Sequence, residues 1–237
     1  MTFSQSNYDI RCEWGLAGVL ALAPQSQAVV VIDVLSFSTA VEIAVSRGAE
    51  VLPYRWNDAS AQTFAIAKRA HLAAPRGQAG YSLSPASLES IHQGESLVLP
   101  SPNGSTMSLE AAVIAPTWCA CLRNAPAVAA RLRSNAQRIA VIPAGEQWDD
   151  GSLRPCLEDL IGAGAVIAEL PGSRSPEADL AVAAFERFRS SLEETISNCG
   201  SGRELAQRGF HRDLELASAL NVSQAAPVFS ADRFRPS

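Results

Sequence analysis

Long apolar runs are missing from this chain, and none approaches the ~20 residues that a membrane helix needs. Charge is sparse at 18% of residues, and a balance of −5 with scattered basic residues leaves no electrostatic footprint for nucleic acid. The opening residues MTFSQSNYDIRCEW carry neither a basic n-region nor an apolar h-region, so no secretory signal is expected. Histidine is scarce, with three in all (71, 92 and 211), and none has the i, i+4 partner of a zinc helix. The five cysteines (12, 119, 121, 156 and 199) form an odd, scattered set without C-x-x-C, and read as small buried hydrophobes in a reducing, cytoplasmic setting. No G-x-x-x-x-G-K-[ST], no G-x-G-x-x-G after a strand and no G-x-S-x-G occurs, which removes the main support for nucleotide folds and for a hydrolase elbow.

What the chain does have is a hydrophobic content of 47% over 237 residues, enough for a sizeable core in one large domain or two small ones. Residues 28–48, AVVVIDVLSFSTAVEIAVSRG, organise the rest. The apolar run Ala28 to Ile32 reads as a buried strand of a parallel sheet and ends in Asp33. Thr39 and Glu42 fit a capping box for the next helix, and Gly48 fits its C′ position. Asp33 then falls at the carboxyl edge of a central strand, where open α/β sheets bind ligands, or else serves as a turn residue capping that helix.

Further strands are expected at 8–14, 50–54, 96–100, 117–122 and 138–143, with a last edge strand at 226–229 before a polar tail. Helices are expected from Asn57 and Asp58 to about Ala73, from Ser84-Pro85 to about His92, over 125–135 and 156–170, and in one long amphipathic run from Pro176 to about Ser197. That run carries Leu180, Phe185, Phe188, Leu192 and Ile196 on its stripe; left uncovered, such a face would support a homodimer. A helix capped by Ser201 and Glu204 and another at 212–220 follow, so the segment from about 174 to 222 can form a helical subdomain of a single domain. Strands alternating with helices make this α/β, with a mainly parallel or mixed sheet.

Three loops carry the candidate chemistry. The first holds Asp33 with Ser36, Ser38 and Thr39. The second is Ser101-Pro102-Asn103-Gly104-Ser105, where Gly104 permits φ > 0 and the following helix offers free N–H groups for an anion such as phosphate; the same residues also spell an ordinary turn. The third, AGEQWDDGSLRPCL, gathers Glu146, Asp149, Asp150 and Arg154 and runs into Glu158 and Asp159. Carboxylates around one cation suit Mg²⁺ and an anionic substrate, against a plainly solvated loop with acids favourable at a helix N-terminus. An apolar strand ending in Asp also suggests haloacid-dehalogenase-type phosphatases, but their second acid falls on Leu35, which excludes them.

In order along the chain, Asp33-Val34-Leu35, Asn103-Gly104-Ser105, Leu122-Arg123-Asn124-Ala125, Ala144-Gly145-Glu146, Leu157-Glu158-Asp159 with Gly162-Ala163-Gly164-Ala165, and Ser201-Gly202-Arg203-Glu204-Leu205 through Gly209-Phe210, Asp213-Leu214 and Pro227-Val228 resemble the 2-phosphosulfolactate phosphatase (ComB) family. The resemblance implies a three-layer α/β/α fold and a Mg²⁺-dependent phosphatase that converts 2-phosphosulfolactate to sulfolactate and phosphate, a step of coenzyme M synthesis in methanogens. Two departures stand out: Ser36 where the family commonly has Arg, and residues 79–83 where it commonly has a G-E-R-G-G loop. Each removes an arginine anion clamp, which leaves another small phosphorylated hydroxy acid as an open substrate. In this reading Asp33, Glu158 and Asp159 hold Mg²⁺, Glu146 is a general base if burial tunes it, and Asp33 can also be a covalent nucleophile. Ser101, Asn103, Gly104 and Ser105 hold the phosphoryl oxygens, while Asn124 and Arg154 take the acid end. The rival from another class is a non-catalytic binder of a small anionic metabolite.

Overall fold

The computed structural model describes residues 2–55 and 58–237, without the side chain of Thr2; the expected capping role of Asn57 lies outside them. β1 (Ile10–Cys12), β7 (Ile139–Pro143), β2 (Ala28–Ile32) and β6 (Thr117–Ala120) pair in that order and in parallel. β3 (Glu50–Tyr54), β5 (Ser96–Pro100) and β4 (His71–Leu72) form a second parallel set. The two sets are joined by an antiparallel hairpin from the C-terminus, β10 (Pro227–Ser230) and β11 (Arg233–Pro236), which sits between β6 and β3. The result is one mixed, nine-stranded sheet. The expected edge strand at 226–229 is therefore central, and the supposed polar tail supplies its partner. Phe234, fully buried, explains the insertion: it packs edge-on against Phe37 with ring centroids 6.2 Å apart.

Alternation along β2 assigns the layers, because neighbouring strand residues face opposite sides. Val30 and Ile32 pack with α5 (Ala125–Asn135), α6 (Leu157–Ala168) and α7 (Pro176–Phe188). Val29 and Val31 pack with α1 (Gly15–Leu22) and α4 (Gly104–Ile114). In the other half Val51, Leu97 and Leu99 meet α2 (Phe37–Ser46), while Leu52 and Val98 meet Ala65 of α3 (Ala59–Lys68). This is the expected three-layer α/β/α arrangement.

Several boundaries differ from the sequence reading. α1 was not expected, since Gly15 and Gly18 interrupt a short run with no side-chain cap at Trp14. α3 stops at Lys68 because Arg69 turns left-handed (φ 52°), and His71–Leu72 then joins the sheet as β4. The segment after Ser84-Pro85 is a 3₁₀-helix, Pro85–Ser90. The long helix expected from Pro176 breaks after Phe188, so α7 and α8 (Leu192–Asn198) are separate. Phe185, Leu192 and Ile196 are buried and Leu180 is 62% exposed, so the stripe is largely covered within the chain and offers no broad apolar face to a second copy. α9 (Gly200–Gln207) is capped by Cys199, which accepts from the Gly202 N–H, and not by Ser201; α10 (His211–Ser218) follows.

Candidate active site

Asp33 sits just past β2, 8% exposed, in the turn that leads into α2. The Phe37 N–H donates to its Oδ1 at 3.1 Å, and Ser38 Oγ braces the turn by donating to the Asp33 carbonyl at 2.7 Å. The expected capping box does not form: Thr39 Oγ1 donates to the Val34 carbonyl, and Glu42 is fully buried in an ion pair with Arg123.

The loop after β5 closes on the same carboxylate. The Gly104 N–H donates to Asp33 and also reaches Ser101 Oγ at 3.2 Å. Gly104 is not in the left-handed region that the sequence reading assigned to it. Its side chain is excluded by contact, because a Cβ there would lie 2.3 Å from Phe37 Cδ1. Ser101 and Ser105 are buried and turned inward; Ser105 Oγ donates to the Leu99 carbonyl at 2.7 Å. They shape the loop and leave the cradle to Gly104 and Asn103.

The third loop folds on itself as a small hairpin, β8 (Glu146–Gln147) with β9 (Leu153–Arg154), before entering α6. Gly145 needs its positive φ of 66° to start it, and a Cβ would strike the Arg154 carbonyl at 2.9 Å. Asp159, 4% exposed, ties two loops together: Oδ1 accepts the Val34 N–H at 2.7 Å and Oδ2 the Gly145 N–H at 2.9 Å. Glu158 is 3% exposed and receives the Cys199 thiol at 3.2 Å. Burial, with the charge of Glu158 next, holds that thiol up at about 12, so it stays a donor.

Electrostatics single out Asp33. Burial pushes its carboxyl up to about 7; the N–H groups of Phe37 and Gly104 pull the other way, and the charges of Glu146 and Glu158 add to the rise. Asp159 is raised too, by burial first and then by Asp33 and Glu158. Among the described residues, no group of three or more His, Cys, Asp or Glu side chains stands ready to hold a metal ion. Mg²⁺ commonly uses only one or two protein carboxylates and takes its other ligands from water and phosphate. Asp33 and Glu158, two buried acids, fit that smaller role; Asp159 has both oxygens occupied by backbone N–H groups and acts as the tie between the loops.

Other expected residues separate. Glu146 is exposed, so the burial that was to tune it as a base is absent. Its Oε1 accepts from Asn103 Nδ2 at 2.8 Å and from the Gln147 N–H at 3.0 Å. Asn124 is fully buried and spends its amide on the backbone: Oδ1 accepts the Cys121 N–H at 2.9 Å and Nδ2 donates to the Ala225 carbonyl at 3.1 Å. It anchors the chain leading to β10 and does not face a substrate. Arg154 stands near the α6 entrance, over the Trp148 ring at 5.6 Å, with Nη2 donating to Ser201 Oγ at 3.3 Å.

Sequence reasoning missed Arg76. Its side chain is only 11% exposed and pairs with the buried carboxylate of Asp213. Arg76 Nη2 donates to Ser36 Oγ at 2.9 Å and to the Leu83 carbonyl at 3.2 Å. The cation that Ser36 does not provide is thus brought in from another loop, close enough to feel the charge of Asp33. Ser84 and the Ala86 N–H complete the hold on Asp213, and Phe210 backs the guanidinium at 5.3 Å. The available signal was a lone Arg followed by Gly in an otherwise uncharged loop.

Comparison with known proteins identifies the family. A probable 2-phosphosulfolactate phosphatase of Carboxydothermus hydrogenoformans is 33% identical over 215 residues, covering 86% of each chain. The 2-phosphosulfolactate phosphatase of Methanothermobacter thermautotrophicus is 27% identical over 210 residues, covering 86% of this chain and 87% of its own. A probable 2-phosphosulfolactate phosphatase of Gloeobacter violaceus is 31% identical over 136 residues, 56% of this chain. The family model for 2-phosphosulpholactate phosphatase matches residues 20–232, a span that holds Asp33, Arg76, Gly104, Glu146, Glu158 and Asp159, and the chain belongs to that family of phosphoric monoester hydrolases.

Proposed function

We propose that this chain is a Mg²⁺-dependent phosphatase that hydrolyses 2-phosphosulfolactate, or a related small phosphorylated hydroxy acid, to the hydroxy acid and phosphate. The observation that carries the reading is the buried Asp33 carboxyl, pushed up to about 7, with the charge of Glu158 adding to the rise and Arg76 near enough to feel the charge of Asp33. A carboxyl buried beside other charged groups in that way suits a divalent cation and a phosphoryl group. Asp33 and Glu158 would hold the Mg²⁺, which when bound neutralises charge on the phosphoryl oxygens.

The chain's own groups divide the rest of the work. The start of α4, whose Gly104 N–H serves Ser101 Oγ and Asp33, gives positive potential to a phosphoryl oxygen. Arg76 takes the carboxylate or sulfonate of the substrate through the donors that Asp213, Ser36 and Leu83 leave free. Arg154 adds positive potential from the α6 side. Water attacks phosphorus and gives up its proton to solvent at the open edge where Glu146, oriented by Asn103, stands; the P–O bond to the alcohol breaks, and the alkoxide takes a proton from solvent as it leaves. Asp159 keeps the two loops in register.

A reducing, cytoplasmic setting suits the five free thiols, four of them buried. No helix among the described residues is long and apolar enough to cross a membrane. The deciding experiment is a phosphate-release screen over phosphorylated hydroxy acids, with Mg²⁺ and with chelator. Release that needs Mg²⁺ and disappears in Asp33→Asn supports the proposal. Ligand-dependent thermal stabilisation with no phosphate release from any ester would instead establish a non-catalytic binder.

A further inference from the structure

Bordered by Glu146 and Asn103 is a cavity of about 240 Å³ for which the proposed reaction has no use so far. Leu16 and Ala17 of α1, Met107 of α4 and Ala144 line it. Leu153 of the hairpin, itself 42% exposed, lines its rim near the start of α1: a Cβ added at Gly15 would lie 3.3 Å from Leu153 Cδ1. Asn103 and Glu146, hydrogen-bonded at 2.8 Å, border the cavity and also adjoin Asp33, through the Gly104 N–H and through the charge of Glu146. The space is therefore continuous in chemistry with the reaction site and not a remote void.

Its lining decides what fits. Glu146 is the one charged residue around it, and a carboxylate repels the phosphate, carboxylate and sulfonate groups of the proposed substrates. Every cation that serves those groups, Arg76 and Arg154, lies outside it. The remaining lining is mostly aliphatic, and roughly 150 Å³ of such space already accommodates a benzene ring. We propose that the active site accepts phosphorylated hydroxy acids bearing an uncharged apolar substituent, isobutyl or benzyl in size, and that this substituent enters the cavity that Glu146 borders. The inference rests on the phosphatase reading of Asp33, and it widens the substrate class of that same site.

The test compares 2-phospholactate, 2-phospho-3-phenyllactate and 2-phosphosulfolactate with Mg²⁺ present. The phenyl compound is expected to exceed 2-phospholactate at least tenfold in kcat/KM, mostly through KM, since a buried ring leaves water in both ground and transition states. Ala17→Phe fills the cavity from α1 and Thr106→Met narrows it from α4. Each should cancel that gain while leaving 2-phospholactate turnover within about twofold; the pair guards against one variant failing to fold. Equal turnover of the two esters, or a gain that survives in both folded variants, overturns the proposal. If no ester is hydrolysed, the phosphatase reading fails separately, and the cavity is read by thermal shift. Stabilisation by 3-phenyllactate but not by lactate, abolished in Ala17→Phe, upholds the cavity assignment; equal shifts reject it.

Discussion

Asp33 concentrates the functional argument because its environment opposes its charge. The carboxyl moves from an ordinary value of 3.8 to about 7, mainly through burial. Between those two values the folded chain binds a proton that the unfolded chain has lost. The metal-free protein should thus be most stabilised by this group in acid and lose that stability as pH rises through about 7. Melting temperature without divalent ions is expected to fall between pH 5 and pH 8, and Asp33→Asn should flatten the slope and raise the melting temperature at pH 8 while abolishing phosphate release. Mg²⁺ must displace the same proton, so its stabilising effect should be larger at pH 8 than at pH 5.5. Thermal melts of both proteins with Mg²⁺ and with chelator check this; an Asn variant less stable than the parent at pH 8 would sink it. Asn124 offers the converse case. Its amide satisfies two buried backbone groups, so Asn124→Ala should cost about 1–3 kcal/mol in denaturant unfolding. Activity per folded molecule should stay near the parent's, because the side chain faces no substrate.

At the scale of elements, periodicity and punctuation revealed most of the sheet: β2, β3, β5, β6 and β7 all lie within the strands expected from apolar runs. What stayed hidden depended on contacts distant in sequence. β4 has two residues and forms only because β5 offers it an edge; the C-terminal hairpin is central because Phe234 finds Phe37. For the site, the acids were visible as residues, while their division of labour was not. Asp159 becomes a tie, Glu146 stays in solvent, and Arg76 arrives from a loop with no periodic signal. The start of α4 shows how tight such a juxtaposition is. Gly104→Ala places a methyl where the Phe37 ring now sits, so the helix start or the ring must shift. A loss of about 1–3 kcal/mol and at least a tenfold drop in kcat are expected, since the displaced N–H serves Asp33. Adding Phe37→Leu should recover part of both in a double-mutant cycle; strictly additive effects would show that the contact does not matter.

The whole molecule depends on its last residues to an unusual degree. Among the described residues, the parallel set built on β2 and the set built on β3 have no direct strand pairing; β10 and β11 bridge them within the sheet. β11 pairs with β3 through Phe234 and Val51, and β10 with β6 through Val228 and Trp118. Arg233 adds an ion pair to Glu50 at 2.6 Å, across the same seam. The candidate site spans the two sets, since Asp33 and Glu158 belong to the first and Gly104 and Arg76 follow strands of the second. Removing residues 227–237 should therefore strip two central strands, expose the β6 and β3 edges and abolish activity together with cooperative unfolding. Phe234→Ala is the milder version: a buried aromatic lost from the seam is expected to cost about 3–5 kcal/mol and to lower activity by destabilising the whole fold. Circular dichroism melts decide the matter. A truncated chain that still melts in one sharp transition, with phosphatase activity intact, would mean that the two halves hold together through their helices and that the hairpin merely decorates the sheet.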